Sequence, residues 1–321
     1  MMKEKEILFF GYNYMNYCTY IDRELNRNFG RTTYCSLEFP RWMRLSRQFS
    51  AGLYAKMLKN YHRRQIDALE GKHFDYVYFI HAKAMDIELV KRLKAMFPDA
   101  KFILYYWDSL KTTDYSAYIP LFDRVFSFDP SDCEADKRLT YLPLFYTEEM
   151  FPAEQPEKYD YDMAYIASIT HERRYQYLVN LRTYAAKNQL RLFSFTPVFS
   201  KTYVKYFFEH HSLMKGIRWK TISVREVYDV FNRSAVIMDF PNNYQTGLTM
   251  RTFETLGMKR KLVTSNILVK NESCYSPENV FITTPDELDK IPREFFTTPF
   301  KENPAIAEYS LRSWVRKQFA E

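Results

Sequence analysis

Glycine is scarce in this chain, with seven in 321 residues. No GxGxxG and no P-loop pattern can be assembled from them, so neither a dinucleotide fingerprint nor a P-loop is supported. Each of those motifs needs glycine where backbone must approach phosphate. Cysteine is also thin: Cys18, Cys35, Cys133 and Cys274 lie far apart with no CxxC pair. Zinc-finger spacing is thereby absent, and an intracellular protein with reduced thiols is the expectation. No stretch approaches the roughly 20 apolar residues that a membrane span needs. The start, Met1 to Glu6, runs straight into a strand-like Ile7-Leu8-Phe9-Phe10, without the pattern of a signal peptide.

What is present is enough for two cores. Apolar residues make up 46% of a chain longer than one compact core usually is. The formal charge is +7 and the pI about 9.0, which suggests an anionic partner without naming it. Nucleotide diphosphates, anionic lipid and nucleic acid all satisfy that charge. The charge is uneven. Between Phe39 and Ile66 stand Arg41, Arg44, Arg47, Lys56, Lys59, Arg63 and Arg64, and no acid. Much of Ser46–Leu69 has helical spacing and mixes these cations with Leu53, Tyr54, Met57 and Leu58. It reads either as an amphipathic helix with its apolar face in the core or as a segment that rests on an anionic membrane.

Short apolar runs alternate with helical patterns. Ile7–Phe10, Tyr76–Ile80, Phe102–Trp107, Arg124–Phe128 and Thr140–Leu144 read as strands, with a helix near Asp86–Phe97. Pro152–Tyr161, with two prolines and little apolar content, reads as a linker. Beyond it the expected strands are Met163–Ile169, Leu190–Phe195, Ala235–Phe240, Lys261–Thr264 and Val280–Thr283. Helices are expected near Glu172–Ala186, Val224–Phe231 and Leu248–Leu256, with another starting at Thr284-Pro285-Asp286-Glu287. From Ala305 the chain reads as helical, with Leu311, Trp314, Val315 and Phe319 on one stripe. Strands separated by helices of this length indicate parallel βαβ units. The fold class is therefore α/β, with two Rossmann-like parallel-sheet domains and a cleft between them.

In open parallel sheets, ligands sit outside the carboxyl ends of the strands. That rule selects Gly11, Tyr12, Asn13, His81, Lys83, Asp108 and Ser109 in the first half. In the second it selects Ser168, His171, Arg173, Arg174, Thr196, Asp239 and the loop Pro241–Gly247. His81 and Asp108 end neighbouring strands, where either can orient or deprotonate a hydroxyl. A lone histidine after an apolar strand is also commonly structural. Arg173 and Arg174 can stabilise charge on an expelled diphosphate or simply form a solvated helix face. Asp160-Tyr161-Asp162 is a DxD, but it precedes its strand, at the end away from the expected site, and reads as a coincidence of the linker. No metal is expected. No recognised nucleic-acid motif accompanies the basic and aromatic stretch Lys201–Arg225.

The most informative segment is Thr246-Gly247-Leu248-Thr249-Met250-Arg251-Thr252-Phe253-Glu254-Thr255-Leu256-Gly257, followed by a strand ending at Thr264. It resembles the donor-site helix of GT-B glycosyltransferases, and more closely the CgeB-like and glycosyltransferase-4-like bacterial proteins that build surface polysaccharides. Leu142-Pro143 with Phe151-Pro152 resembles that family's passage from first to second lobe. Asp162–Ser168 with Arg173 resembles the opening strand and loop of its donor lobe, and Glu278–Val280 with Asp286–Leu288 its last strand and helix. One departure stands out: Ala167 or Ser168 occupies the place of the usual glycine in the opening loop.

The resemblance implies a GT-B architecture: an acceptor domain over 1–150, a nucleotide-sugar domain over 151–303, and a C-terminal helix over 304–321 that packs back on the first domain. It implies transfer of a sugar from a UDP- or GDP-linked donor to a glycan or lipid-linked acceptor in polysaccharide or lipopolysaccharide synthesis, cytoplasmic or at the inner face of the membrane. The stereochemistry would be retaining, with no metal, no cofactor and no nucleic acid. Donor contacts are implied for Arg251, Glu254, Thr249, Ser168, Arg174 and Thr196, with Glu254 on the ribose. Asp108, His81 and Arg173 would stand at the reacting centre. Without the resemblance, Arg251 and Glu254 read as an ion pair three residues apart on one helix. The alternative function is a non-catalytic partner that binds a nucleotide sugar or glycan for another transferase.

Overall fold

The computed structural model describes residues 5–38, 50–151, 155–169, 172–197, 217–218, 222–241 and 246–320. The chain divides into two units. The first is Met1–Leu144, Tyr244–Gly247 and Leu311–Glu321, and the second is Phe145–Asn243 and Leu248–Ser310.

The first unit opens with β1 (Lys5–Gly11), α1 (Tyr17–Asn28), β2 (Gly30–Ser36), α2 (Ala51–Asp67) and β3 (Tyr76–Ile80). It continues with α3 (Ile87–Met96), β4 (Lys101–Tyr106), β5 (Arg124–Ser127), α4 (Pro130–Ala135) and β6 (Leu139–Tyr141). The strands pair in parallel in the order β2-β1-β3-β4-β5-β6. Ile7 to Phe10 and Val77 to Ile80 are wholly buried. Unbroken apolar runs are what parallel strands covered on both faces require. α3 starts where the sequence directs it: the Asp86 carboxylate accepts the Glu88 N–H, and Leu89, Val90 and Leu93 form its buried stripe.

The second unit repeats the plan. Its elements are β7 (Tyr161–Ile166), α5 (Glu172–Lys187), β8 (Leu192–Pro197), β9 (Ile217–Arg218), α6 (Val224–Asn232) and β10 (Ser234–Asp239). Then come α7 (Met250–Gly257), β11 (Lys261–Thr264), β12 (Val280–Ile282) and α8 (Glu294–Thr297). The order β12-β11-β10-β7-β8-β9 is again parallel throughout. The last helix, α9 (Leu311–Phe319), groups with the first unit. Trp314 meets the Tyr105 ring at 4.6 Å, and Phe319 meets Tyr76 and Tyr78 at 5.1 and 5.3 Å.

Two local expectations differ, and a third is described only in part. The helix start expected at Thr284 is a turn, closed by Glu287 N–H on the Thr284 carbonyl. Only the single turn Leu288–Lys290 follows, because the Thr283 hydroxyl donates to the Glu287 carbonyl and Leu288 is drawn into the core. The helical tail divides into a 3-10 segment (Pro304–Tyr309) and α9. Residues 46–49 of the expected basic helix lie outside the described residues, and α2 starts at Ala51 with Ser50 as its cap.

Candidate functional site

In the second unit β10, β7 and β8 are neighbours, so their carboxyl ends form one rim. Two arginines from different helices close on it. Arg174, in the first turns of α5, donates Nη1 to the Ser168 carbonyl at 3.0 Å. Arg251, in the first turn of α7, donates Nη1 to the Ile166 carbonyl and lies 4.7 Å from the centre of the Phe231 ring. Both guanidinium groups therefore hang from one three-residue stretch at the end of β7. The Nε of each is buried without a hydrogen-bond partner, and so is the Tyr165 hydroxyl. Burial pushes the Tyr165 phenol up to about 12, and its charge environment includes Arg174, Asp239 and Arg251. Among the described residues neither arginine forms an ion pair with a carboxylate. Buried donors on cations without a counter-charge are costly unless an anion arrives to meet them.

Thr249 adds to the same rim. It precedes α7, yet its hydroxyl does not cap the helix; it donates to Asp239 at the end of β10, at 2.6 Å. The amides of Met250 and Arg251, which no carbonyl of their own helix can reach, are left at a positive helix terminus beside the two guanidiniums. Thr196 is wholly buried at the end of β8. Arg173 is exposed and lies 6.0 Å from the Tyr177 ring.

Glu254 stands one turn beyond Arg251 and is only 4% exposed. Its carboxylate accepts the hydroxyl of Tyr228 from α6. The ion pair with Arg251 is not among those of the described residues, since Arg251 turns to Ile166 instead. Tyr165, Tyr228 and the role of Phe231 were missed in the sequence, because aromatic residues in strands and helices read as core. His171 and residues 242–245 of the Pro241–Gly247 loop lie outside the described residues.

In the first unit the carboxyl ends of β1, β3 and β4 are adjacent. His81 and Asp108 come together there: His81 Nδ1 stands 3.7 Å from an Asp108 oxygen. The imidazole packs against Tyr106 at 4.5 Å and Trp107 at 5.1 Å, and its Nε2 is buried without a partner. Burial lowers the His81 pKa to about 4, so the ring is neutral near pH 7. Asp108 is 37% exposed, which keeps the carboxylate in reach of solvent and of a ligand hydroxyl.

The DxD carboxylates are held elsewhere. Arg191 donates to Asp162 at 2.8 Å and Arg233 stands 3.3 Å from Asp160, both at the amino end of β7. Among the described residues no group of three or more His, Cys, Asp or Glu could hold a metal ion. No helix among them is long and apolar enough to cross a membrane.

No protein-family profile matches the chain, and no curated protein matches it in sequence. Solved structures do. The lipopolysaccharide outer core galactosyltransferase WaaB is 12% identical, with 98% of this chain and 96% of that chain covered and a TM-score of 0.50. The UDP-GlcNAc 2-epimerase from Neisseria meningitidis, bound to UDP-GlcNAc, is 12% identical over 98% of both chains with a TM-score of 0.54. A further UDP-N-acetylglucosamine 2-epimerase is 9% identical over 98% of this chain and 94% of that one, at 0.55. At these identities the likeness is one of fold: two parallel-sheet α/β domains in sequence, of the GT-B type.

Proposed function

We propose that the chain is a glycosyltransferase. The second unit takes a UDP- or GDP-linked sugar, and the first takes a glycan or lipid-linked acceptor of surface polysaccharide or lipopolysaccharide synthesis. The carrying observation is the pair Arg174 and Arg251, suspended at the end of β7 with buried, unpartnered Nε donors and no carboxylate partner among the described residues. A diphosphate supplies the missing counter-charge. As the bond from the sugar C1 to the diphosphate breaks, charge grows on the leaving oxygen, and preorganised guanidiniums with a helix terminus stabilise it. Charge neutralisation by arginine removes the need for a metal. Glu254 is the ribose ligand in this reading, with Tyr228 already bonded to it. Asp108, near neutral His81, is the group that accepts a hydrogen bond from the acceptor hydroxyl in the first unit; when that oxygen bonds to C1, its proton passes to the departing diphosphate. With retention of configuration, no protein nucleophile is required. The likeness of fold to a galactosyltransferase accords with this reading, and the bacterial surface-glycan setting rests on the sequence resemblance around Arg251 and Glu254.

Titration calorimetry with UDP and GDP tests it. One of the two should bind, equally with and without EDTA. Arg251→Ala and Arg174→Ala should each weaken that binding by roughly ten- to a hundredfold, the cost of about 1.5–3 kcal/mol for a lost charge-assisted bond. Slow release of nucleoside diphosphate from the matching nucleotide sugar should accompany binding. Unchanged affinity in both variants overturns the donor site. Binding without any turnover favours the non-catalytic partner. An epimerised sugar in place of released diphosphate would point to the chemistry of the other structural neighbours. Activity abolished by EDTA and restored by manganese would overturn the metal-free reading.

A further inference from the structure

The structure assigns the carboxyl end of the first sheet as an aromatic platform for a pyranose ring. The inference rests on the reading that the first unit holds the acceptor, and it narrows that acceptor to one presenting a sugar.

Five large apolar side chains stand out as exposed among the described residues, and three of them are tyrosines gathered around Gly11. Tyr12 and Tyr14 follow β1 and are 41% and 58% exposed. Tyr34, on the neighbouring β2, is 36% exposed and donates its hydroxyl to the Gly11 carbonyl at 3.1 Å. The rings of Tyr12 and Tyr14 pack against no other aromatic ring among the described residues. Trp107, half-buried, follows β4 on the same rim: it meets Tyr17, the first residue of α1, at 6.3 Å and His81 at 5.1 Å.

The loop that carries the tyrosines is braced. Asn13 donates Nδ2 to Thr19 Oγ1 at 3.1 Å and accepts the Thr19 N–H at 3.3 Å. The Cys18 thiol donates to the Tyr12 carbonyl at 3.2 Å. A Cβ at Gly11 would lie 2.6 Å from that sulfur, so the close approach requires glycine. The backbone is strained as well. Five described non-glycine residues have positive φ. Gln189 and Lys259 follow the ends of α5 and α7, where a left-handed residue is ordinary. Met15 and Asn16 lie in the 3-10 turn Tyr14–Asn16 that joins β1 to α1, and His81 follows β3; all three lie on this rim. Strain held by surrounding contacts is characteristic of ligand sites. Here it holds tyrosine rings in water, a position that packing alone would not select.

The ligand chemistry follows from what surrounds those rings. One face of a pyranose carries C–H groups of partial positive charge, which meet the negative face of an aromatic ring, while its edge carries hydroxyls. Tyr12, Tyr14 and Trp107 supply faces. The Asp108 carboxylate and the tyrosine hydroxyls supply polar groups for the edge. A bare alkyl chain would use the faces and leave those polar groups desolvated. Because the aromatics are rigid, little conformational freedom is lost on binding.

Saturation-transfer NMR on the full chain tests the assignment with the methyl α-glycosides of glucose, galactose, mannose and N-acetylglucosamine. At least one should receive saturation on its ring C–H protons. The signal should fall roughly fivefold or more in Tyr12→Ala/Tyr14→Ala and survive in Tyr12→Phe/Tyr14→Phe. UDP and GDP binding, measured on the same samples, should not change in either variant, and unchanged hydrogen-exchange protection of β1, β3 and β4 shows that the first unit is folded in both. Should the alanine pair fail to fold, Tyr14→Ser alone, at the most exposed ring, carries the same expectation. No saturation of any glycoside overturns the platform, as does an undiminished signal in the alanine variant. Glycoside binding without any nucleotide binding would sink the donor reading and leave the platform standing.

Discussion

His81 shows how one residue is set by competing effects. It ends β3 with φ of 65°, a conformation a side chain with Cβ adopts only under constraint. Its ring is enclosed by Tyr106 and Trp107, and desolvation lowers its pKa to about 4. Asp108 at 3.7 Å would favour the protonated form, but it is partly in water and too distant to offset the burial. In the unfolded chain the ring titrates near 6.5. Below that pH the unfolded state binds a proton that the folded state refuses, so stability falls as pH drops from about 6.5 to about 4 and is fully present above. The loss should approach roughly 3 kcal/mol at the acid end. Urea unfolding at pH 7, 5.5 and 4.5 checks this against His81→Phe, whose stability should fall less over the same interval. Parallel losses in the two proteins would mean that the ring titrates freely when folded. The strand-end rule located His81 in the sequence. It did not locate Tyr228, because nothing in the local pattern of α6 distinguishes a tyrosine that bonds Glu254 from one that fills the core.

Among the described α-helices, α2 has little packing for its length. Of its 17 residues only His62 and Ile66 are buried, both near its end. Leu53 is exposed, while Tyr54, Met57 and Leu58 are half-buried; Lys56, Lys59, Arg63 and Arg64 are in water. Core packing, the default for such a stripe, is therefore confined to the last turns, and the first turns keep apolar groups and cations together at the surface. Arg41, Arg44 and Arg47 lie outside the described residues. We expect the protein to co-sediment with vesicles containing anionic lipid, less at high salt, and not with neutral vesicles. Changing Lys56 and Lys59 to Gln should remove about 1 kcal/mol each, on the order of thirtyfold together. Equal sedimentation with neutral vesicles, or no loss in that variant, would count against the membrane contact. α2 and the buried strands were legible in the sequence because apolar period and run length act locally. α1 and β2 were not. Gly30-Arg31-Thr32-Thr33-Tyr34-Cys35-Ser36 is an edge strand with a single neighbour, so little of it needs to be apolar and its pattern does not announce a strand.

At the scale of the whole molecule, alternation of strand and helix was enough to read two α/β sheets in sequence, since each βαβ unit is a local event. Strand order and the pairing of Arg174 with Arg251 on one rim were not legible in that way; they depend on β7 lying between β8 and β10, which no spacing reveals. The first unit is also discontinuous: α9 follows the whole of the second unit in sequence and yet belongs to the first. Leu311, Trp314 and Val315 are buried there, Phe319 lies on Tyr76 and Tyr78, and Arg124 donates to the Gln318 carbonyl at 3.3 Å. Each large apolar side chain taken out of water contributes about 1.5–3 kcal/mol, so the helix carries an amount comparable to the 5–15 kcal/mol of net stability usual for a protein. Deleting residues 311–321 should therefore open the first unit while sparing the second. Hydrogen exchange of the full-length and truncated chains separates the two. In the truncated chain the amides of β1, β3 and β4 should lose most of their protection, and those of β7, β10 and β11 should keep theirs. Trp314→Ala should show the same ordering in milder form, at a cost of about 3–5 kcal/mol. Retained protection in β1, β3 and β4 after truncation would show that the first sheet is stable without its distant helix.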